Sequence, residues 1–248
     1  MDFENLSANL DDIFSKYSNI EKKIHISWKN KDIINKNYSI IQNGILQLKL
    51  LNPDYEFNIY DDDDIDKYIQ SNISPADYNL IKNKKIVEKT DLWRLLIIYN
   101  EGGIYCDIDR FCNIPLSNVI TENIKCILPM YYDDDFSQDI IISCSQNIIH
   151  KKAIELNLER RRNKVTDLYY LGPTTYMHAV TEVLLGKQLN RKPSMDNVIL
   201  LRKLIDNCKY LKTYRETPFF NTILYQGKSL QMDKNIMYKN ENVKHWSK

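Results

Sequence analysis

The 248-residue chain has few of the residues that form linkers or disulfide frameworks. It contains 6 glycines and 7 prolines, with no Pro/Gly/Ser-rich stretch and no internal repeat, so we expect a single domain over residues 1–248. The 5 cysteines are an odd number without Cys-x-x-Cys spacing, which indicates neither a disulfide framework nor a zinc site. No apolar run approaches the length of a membrane span, and the N-terminus lacks a secretory pattern.

An excess of charge of one sign is also missing. The formal net charge is +1, from 34 basic and 33 acidic side chains, so the basic excess typical of nucleic-acid-binding proteins is not present. A content of 43% hydrophobic and 27% charged residues is typical of a soluble globular protein. We therefore expect a cytoplasmic protein of a reducing compartment, with no nucleic-acid partner and no transmembrane segment.

Apolar periodicity predicts an alternation of helices and strands. The predicted elements are a helical N-terminal segment at 2–18, a strand at 22–28, a helix from 43, a strand at 56–60, a helix after 60, a helix at 90–100, strands at 104–109, 126–132 and 139–145, a helix at 150–162, and a strand, a Gly-Pro break and a helix over 168–185. This alternation predicts an α/β fold with a mainly parallel central sheet and helices on both faces.

The stretch GGIYCDIDR, residues 102–110, ends a predicted strand in two aspartates. Side chains alternate along a strand, so Tyr105, Asp107 and Asp109 are predicted to share one face, with Cα atoms of the two aspartates about 6–7 Å apart. Open α/β sheets bind ligands beyond the carboxyl ends of their strands. Paired carboxylates there suit Mg²⁺ or Mn²⁺ with substrate phosphates completing the shell, although a solvated strand end is the alternative.

The helix that precedes this strand carries Asp91 and Arg94, which are three residues apart and share a helical face. Arg94 is suited to phosphate or sugar oxygens and Asp91 to sugar hydroxyls, so both are candidate catalytic residues. The alternative is a surface ion pair, which contributes only about 0.3–0.5 kcal/mol.

Two other acidic clusters and three histidines have simpler interpretations. Asp61–Asp64 leads into a helix, where acidic residues complement the dipole, so it is predicted to start that helix. Asp133–Asp135 lacks a preceding Asp-x-x-Arg helix and is interpreted as a solvated turn or an acceptor-facing loop. His25 is predicted to be a satisfied core histidine, and His150 and His178 have no partner spacing.

The block TDLWRLLIIYNEGGIYCDIDR, residues 90–110, resembles the retaining glycosyltransferases with a DXD sugar-binding motif. This family groups the yeast initiating α-1,6-mannosyltransferase with the clostridial glucosylating toxins, and its pattern is Asp-x-x-Arg, a helix, Gly-Gly-x-Tyr and Asp-x-Asp. KIHISW, LNPDYEFNIYDDDD and KHWSK resemble further segments of the family. The resemblance implies a GT-A type nucleotide-diphospho-sugar transferase fold.

The resemblance also implies roles for individual residues. Asp109 is expected to bind Mn²⁺ or Mg²⁺ directly, and Asp107 to bind ribose or sugar hydroxyls and to share the metal. Arg94 and Asp91 are expected to orient the donor sugar. The remaining assignments are Trp28, Tyr105 and Trp246 at the nucleotide, His245 at the metal, and Asp139, Gly172 and Ser247 near the donor or acceptor sugar.

The sequence thus predicts a metal-dependent retaining glycosyltransferase that moves a hexose from a nucleotide sugar to an acceptor hydroxyl. A UDP-sugar is favoured and GDP-mannose is the competing donor; the acceptor is a glycan, protein or lipid. A DxD metal-dependent phosphatase or phosphotransferase is one alternative, and a non-catalytic sugar-nucleotide-binding protein is another.

Overall fold

The computed structural model describes residues 3–34, 39–110, 114–128, 137–189, 192–213, 224–225 and 228–229. The helices are α1 (Phe3–Ser15), α2 (Ser39–Leu51), α3 (Asp62–Asn72), α4 (Pro75–Ile81), α5 (Ile86–Glu101), α6 (Ile148–Arg162), α7 (Leu168–Leu171), α8 (Pro173–Leu185) and α9 (Met195–Asn207). The strands are β1 (Lys23–Ser27), β2 (Glu56–Tyr60), β3 (Gly103–Cys106), β4 (Cys126–Leu128), β5 (Ile140–Ser143), β6 (Leu211–Thr213), β7 (Leu224–Tyr225) and β8 (Lys228–Ser229). Short 3₁₀ segments lie at Lys31–Ile34 and Leu116–Asn118.

The central sheet has six described strands in the order β2-β1-β3-β5-β4-β6. β1 pairs in parallel with β2 and with β3, and β4 pairs in parallel with β6. β5 runs antiparallel to both of its neighbours, β3 and β4. The α/β class is confirmed, and the parallel majority predicted from the sequence is interrupted by this one strand. Because Cys106 pairs with Ile140, the start of β5 meets the end of β3 at one edge of the sheet.

Apolar side chains pack on both faces of the sheet. On β3, Tyr105 contributes to one buried cluster, which also contains residues of α1, α3, α5, α6, α8 and α9. Ile104 and Cys106 contribute to the second buried cluster, which α2 covers. This alternation follows from the two-residue period of a strand and confirms the predicted helices on both faces.

Helix α5 places the site residues and is buried over its whole central part, from Asp91 to Ile98. Apart from Asp91 and Arg94, the buried residues of this part are apolar. They lie on several sides of the helix, which packs against α3, α6 and the sheet. Its end is set by Gly102, whose N–H donates to Ile98 O at 3.0 Å, and both Gly102 and Gly103 have positive φ angles, 64° and 87°. The glycine pair thus ends α5 with φ angles that residues carrying a side chain rarely adopt.

Two predicted strands differ from the structure. The strand predicted at 104–109 is wrong beyond Cys106, because the chain turns there and Arg110 N donates to Asp107 O at 2.8 Å. Strand alternation therefore does not set the directions of the two aspartates. The strand predicted at the start of 168–185 is instead helix α7, capped by Asp167, which accepts a hydrogen bond from Tyr170 N. None of the described helices is long and apolar enough to cross a bilayer.

Candidate active site

Chain segments from three strands meet at the edge of the sheet where β1, β2 and β3 end. Trp28 follows β1, and its N–H donates to Tyr60 O, the last residue of β2, at 2.9 Å. Asp107 follows β3, and its N–H donates to Asp139 O, just before β5, at 2.7 Å. The structure thus places Trp28 and Asp107 at the carboxyl ends of β1 and β3, the edge where open α/β sheets bind ligands, and places Asp139 at the same edge, before the start of β5.

Arg94 joins α5 to this edge. Its Nη2 lies 3.2 Å from Asp91 Oδ1, its Nη1 lies 3.5 Å from Asp107 Oδ1, and Nη1 also donates to Gln138 O at 2.7 Å. The guanidinium carbon sits 4.7 Å from the centroid of the Tyr105 ring. Burial by itself lowers the pKa of Arg94, but Tyr105, Asp107 and Asp91 outweigh it and raise that pKa. The guanidinium is therefore a fixed positive charge at the site.

Asp107 is the accessible carboxylate of the DXD motif, with 30% of its side chain exposed. The Tyr105 hydroxyl donates a hydrogen bond to its Oδ1. Burial raises the pKa of Asp107 to about 6, with added repulsion from Asp109 and Asp139, while Arg94 opposes the shift. A further positive charge near Asp107 would lower its pKa, because that charge stabilises the ionised carboxylate.

Asp109 has a different environment, because only 5% of its side chain is exposed. Arg110 Nε lies 4.0 Å from Asp109 Oδ1 and 2.6 Å from Asp139 Oδ2, and both partners of this second contact are buried. The two aspartates of the motif are therefore not equivalent, because the Asp107 side chain is partly exposed and the Asp109 side chain is buried beside the Arg110 guanidinium. Neither Arg110 nor its contact with Asp139 was predicted from the sequence.

The donor chemistry of the site fits a divalent cation. Hard carboxylate oxygens are the ligands that Mg²⁺ and Mn²⁺ prefer, and such ions are commonly held by one or two carboxylates. Four carboxylates (Asp91, Asp107, Asp109, Asp139) face two guanidinium groups (Arg94, Arg110), so one divalent cation balances the ionised site. Within the described residues, no three acidic, histidine or cysteine side chains already converge as a metal cage.

Gly172, between α7 and α8, leaves room for Asp91. A Cβ atom built on Gly172 would lie 2.9 Å from Asp91 Oδ2 and 3.2 Å from Leu168 O. The Gly172 carbonyl accepts a hydrogen bond from Gln138 Nε2 at 3.1 Å. Burial raises the pKa of Asp91, although Arg94 and Arg161 oppose the shift. The structure thus brings the predicted residues Asp91 and Gly172 into direct proximity.

Helix α6 holds the turn that carries Gly172. Asn157 Nδ2 donates to Leu171 O at 2.7 Å, and Asn157 Oδ1 accepts from Arg161 Nε at 2.7 Å. Arg160 donates to Tyr170 O at 2.5 Å and to Thr175 Oγ1 at 2.7 Å. Asn157 and Arg160 thus donate hydrogen bonds to the carbonyls of Leu171 and Tyr170. These bonds fix the turn that carries Gly172.

The two aromatic residues predicted at the nucleotide differ in exposure. Tyr105 is completely buried, and its ring meets Trp93 edge-on with centroids 5.8 Å apart. In this conformation Tyr105 supports Arg94 and Asp107 and presents no surface to a nucleoside, which corrects the role expected from the sequence. Trp28 keeps part of its surface, with Lys29 Nζ 5.8 Å from the ring centroid. Its stacking role stays a prediction.

The remaining predicted residues divide into confirmed and undescribed ones. His25 bridges Tyr60 Oη and Gly102 O, each at 3.1 Å, which confirms it as a satisfied core histidine. Asp61 caps α3 and exchanges hydrogen bonds with Asp64, which confirms the predicted helix start. His245, Trp246, Ser247 and Asp133–Asp135 lie outside the described residues.

Comparison with known proteins finds one family model that matches the N-terminal part of the chain. Residues 19–125 match the family described as glycosyltransferase sugar-binding region containing DXD motif. Within them lie Trp28, Asp91, Arg94, Asp107 and Asp109, the residues that the geometry brings to one edge of the sheet. Gly172 and Asp139, in contrast, lie beyond the matched residues.

A curated relative and a solved structure are among the proteins similar to the chain. Inositol phosphoceramide mannosyltransferase 3 of Schizosaccharomyces pombe (strain 972 / ATCC 24843) is 30% identical over 117 residues, which cover 45% of this chain and 32% of that protein. The match thus spans about a third of the relative's length. The structure of PaToxG Glycosyltransferase superposes with a TM-score of 0.54 and 18% identity over 96% of this chain and 91% of that one. This likeness shows a GT-A type fold.

Proposed function

We propose that this protein is a metal-dependent retaining glycosyltransferase, which moves a hexose from a nucleotide sugar to an acceptor hydroxyl. The observation that carries the proposal is the position of Arg94, which contacts both Asp91 and Asp107 at the ligand-binding edge of the sheet. These three residues lie within residues 19–125, which match the DXD glycosyltransferase family model. Retention of the anomeric configuration is proposed from the resemblance of the block at 90–110.

Asp107, Asp91 and Arg94 have separate tasks in this proposal. Asp107, the exposed carboxylate, holds Mn²⁺ or Mg²⁺ together with Asp109, and His245 is proposed as a further ligand. When bound, the cation neutralises the negative charge that develops on the leaving nucleoside diphosphate. Arg94 offers its planar guanidinium to phosphate or sugar oxygens, and Asp91 accepts hydrogen bonds from sugar hydroxyls.

The donor and the acceptor are proposed from the similar proteins and from the remaining residues of the site. A UDP-sugar is the first candidate for the donor. GDP-mannose is the second candidate, because the curated relative is named a mannosyltransferase. Trp28 and Trp246 are proposed to hold the nucleoside. Gly172, Ser247 and Asp139 are proposed to border the sugars. The acceptor is a hydroxyl of a glycan, protein or lipid.

A reducing, cytoplasm-like compartment is proposed from the cysteines. Cys106, Cys126, Cys144 and Cys208, the four that the structure describes, are buried free thiols. Burial raises the pKa of each, so these side chains are expected to remain thiols at neutral pH.

A thermal-shift panel tests the donor and the metal together. UDP-sugars and GDP-mannose are added with and without Mn²⁺, and the matching donor raises the Tm of the wild-type chain only when Mn²⁺ is present, since ligands that bind the folded state stabilise it by mass action. Asp107→Asn removes this shift and lowers kcat for donor hydrolysis about 10²–10³-fold. Asp12→Asn, on the exposed face of α1, serves as the matched control and behaves as wild type.

The alternatives give different results in the same experiments. Donor binding without hydrolysis or transfer at any Mn²⁺ concentration identifies a non-catalytic sugar-nucleotide binder. Phosphate trapped covalently on Asp107 identifies a phosphotransferase. Wild-type turnover by Asp107→Asn under saturating Mn²⁺ removes the role that we give to this residue.

A further inference from the structure

We propose that Arg110 is a built-in counter-charge that competes with the divalent cation for Asp109 and Asp139, and so sets how tightly the protein binds the metal. This inference rests on the proposed function, because it takes the carboxylates at the end of β3 as the metal site. It assigns to the residue directly after the DXD motif a regulatory influence on metal affinity rather than contact with the substrate.

The contacts of Arg110 carry the proposal. Its Nε lies 2.6 Å from Asp139 Oδ2 and 4.0 Å from Asp109 Oδ1, and all three side chains are buried. Buried carboxylates are costly unless an opposite charge or a set of donors compensates them. The guanidinium therefore supplies part of the positive charge that a cation at these carboxylates would also supply.

The backbone of the turn keeps Arg110 among the same carboxylates. Arg110 N donates to Asp107 O at 2.8 Å, Asp107 N donates to Asp139 O at 2.7 Å, and the Cys106 thiol donates to Arg110 O. Each of these contacts uses a backbone carbonyl or amide, so the Arg110 side chain is able to change partners while the turn stays folded. Competition with a cation then needs only a rotamer change of one long side chain.

The two contacts of Arg110 differ in length, and this difference indicates which carboxylate binds the cation first. The Arg110–Asp139 contact is a close ion pair, 2.6 Å long, whereas the Arg110–Asp109 contact, 4.0 Å long, is at the distance limit of an ion pair. We infer that Asp109 is given up to the metal first, while Asp139 retains the guanidinium nearby. The retained positive charge weakens cation binding at Asp107 and Asp109 by repulsion, because charges in a poorly solvated site interact strongly.

Calorimetric titration of the full chain with Mn²⁺, without nucleotide, tests this inference. Arg110→Gln keeps a polar side chain for Asp139 but removes the charge, and we expect its Mn²⁺ Kd to fall about tenfold or more. Arg110→Lys keeps the charge and should leave the Kd within about twofold of wild type. Lys16→Gln removes one positive charge from the exposed ion pair with Asp12 and serves as the control for net charge.

A second measurement uses the wild-type protein, so that it does not depend on how Arg110→Gln folds. The ¹⁵N signal of Arg110 Nε, assigned by its loss in Arg110→Lys, is expected to shift when Mg²⁺ is added, because the side chain moves away from Asp109. Folding of each variant is checked by circular dichroism and by its Tm. An unchanged Arg110 signal at saturating Mg²⁺ contradicts the competition.

The outcomes separate this inference from the proposed function. If folded Arg110→Gln binds Mn²⁺ with wild-type or weaker affinity, while Asp107→Asn abolishes binding, the counter-charge is refuted and the metal site stands. If the wild-type chain binds no Mn²⁺ with or without a nucleotide sugar, the metal site itself fails, and with it both proposals.

Discussion

Arg94 contacts three parts of the chain: Asp91 on its own helix, Asp107 after β3 and the carbonyl of Gln138 before β5. A planar guanidinium serves three directions at once because its N–H groups form a rigid fork. A lysine keeps the charge but offers a single ammonium on a flexible stem. The three contacts therefore depend on the arginine itself and not only on its charge.

Arg94→Lys is predicted to lower kcat for donor hydrolysis about 10²–10³-fold, the usual cost of losing one electrostatic stabiliser in an active site. The variant should still fold, because Lys retains a positive charge near Asp91 and Asp107. Steady-state kinetics with Mn²⁺ and circular dichroism measure the two effects. Arg162→Lys, on the exposed surface of α6, is the matched control, and equal kcat values for the two variants would contradict the role of Arg94.

At the residue scale, the sequence predicted which residues form the motif. It did not predict that Asp107 is partly exposed while Asp109 is buried. Asp91, Arg94, Asp107 and Asp109 were recognisable because their spacing is local, within one helix and one turn. Arg110 was not recognisable, because its partner Asp139 comes from β5, and only the antiparallel pairing of β3 with β5 brings the two together. Long-range pairs of this kind leave no periodic signal along the chain.

At the scale of elements, the two acidic clusters that the structure describes have different uses. Asp61 and Asp64 exchange hydrogen bonds at the start of α3, so their oxygens serve backbone N–H groups of the helix. Asp107 and Asp109 follow a buried strand and lie beside guanidinium groups. The flanking elements distinguished these clusters in the sequence, since a helix start needs acceptors and a strand end borders the ligand edge.

The glycine pair between α5 and β3 gives a prediction on stability. A Cβ atom built on Gly103 would lie 2.4 Å from the Lys23 carbonyl oxygen, and φ is 87°, so alanine adds a backbone clash to left-handed strain. Gly186 also has a positive φ, 65°, but no atom lies within 4 Å of its built Cβ. We expect Gly103→Ala to destabilise the protein by about 1–3 kcal/mol more than Gly186→Ala does.

Urea unfolding of both variants measures this difference, with equal m-values required for the comparison. Equal losses of unfolding free energy would show that the left-handed conformation alone matters at the end of α5. The Gly103 variant is also expected to lose turnover, because the clash lies at the start of the strand that leads to Asp107.

At the scale of the whole molecule, the sequence predicted the α/β class and most elements of the GT-A fold, because their apolar periods are strong. Strand β2 has the predicted bounds, Glu56–Tyr60. The start of the segment 168–185 was predicted as a strand from its aromatic and apolar residues, whereas Asp167 caps it as helix α7 and Arg160 and Asn157 on α6 bind its carbonyls. Tertiary hydrogen bonds of this kind override local preference.

The interior between α6 and α8 makes the stability of the whole protein depend on pH. His150 is completely buried, and neither ring nitrogen has a hydrogen-bond partner among the described residues; its ring lies 5.5 Å from that of Tyr176. Burial lowers the pKa of His150 from 6.5 to about 3. The unfolded chain therefore takes up a proton below pH 6.5 that the folded protein refuses until about pH 3, so stability falls as the pH falls through this window.

His150→Leu is predicted to remove this contribution. Between pH 7.5 and pH 5.5 the wild-type protein should lose about 1 kcal/mol more unfolding free energy than the variant does, the cost of one proton bound only by the unfolded state. Urea unfolding at both pH values measures the difference. Burial also lowers the pKa of His25, to about 4, which adds a loss of the same sign, whereas the raised pKa of Asp107 adds a gain; both contributions remain in the variant and cancel from the comparison. Parallel pH profiles for the two proteins would mean that the folded protein accommodates the charged imidazole of His150.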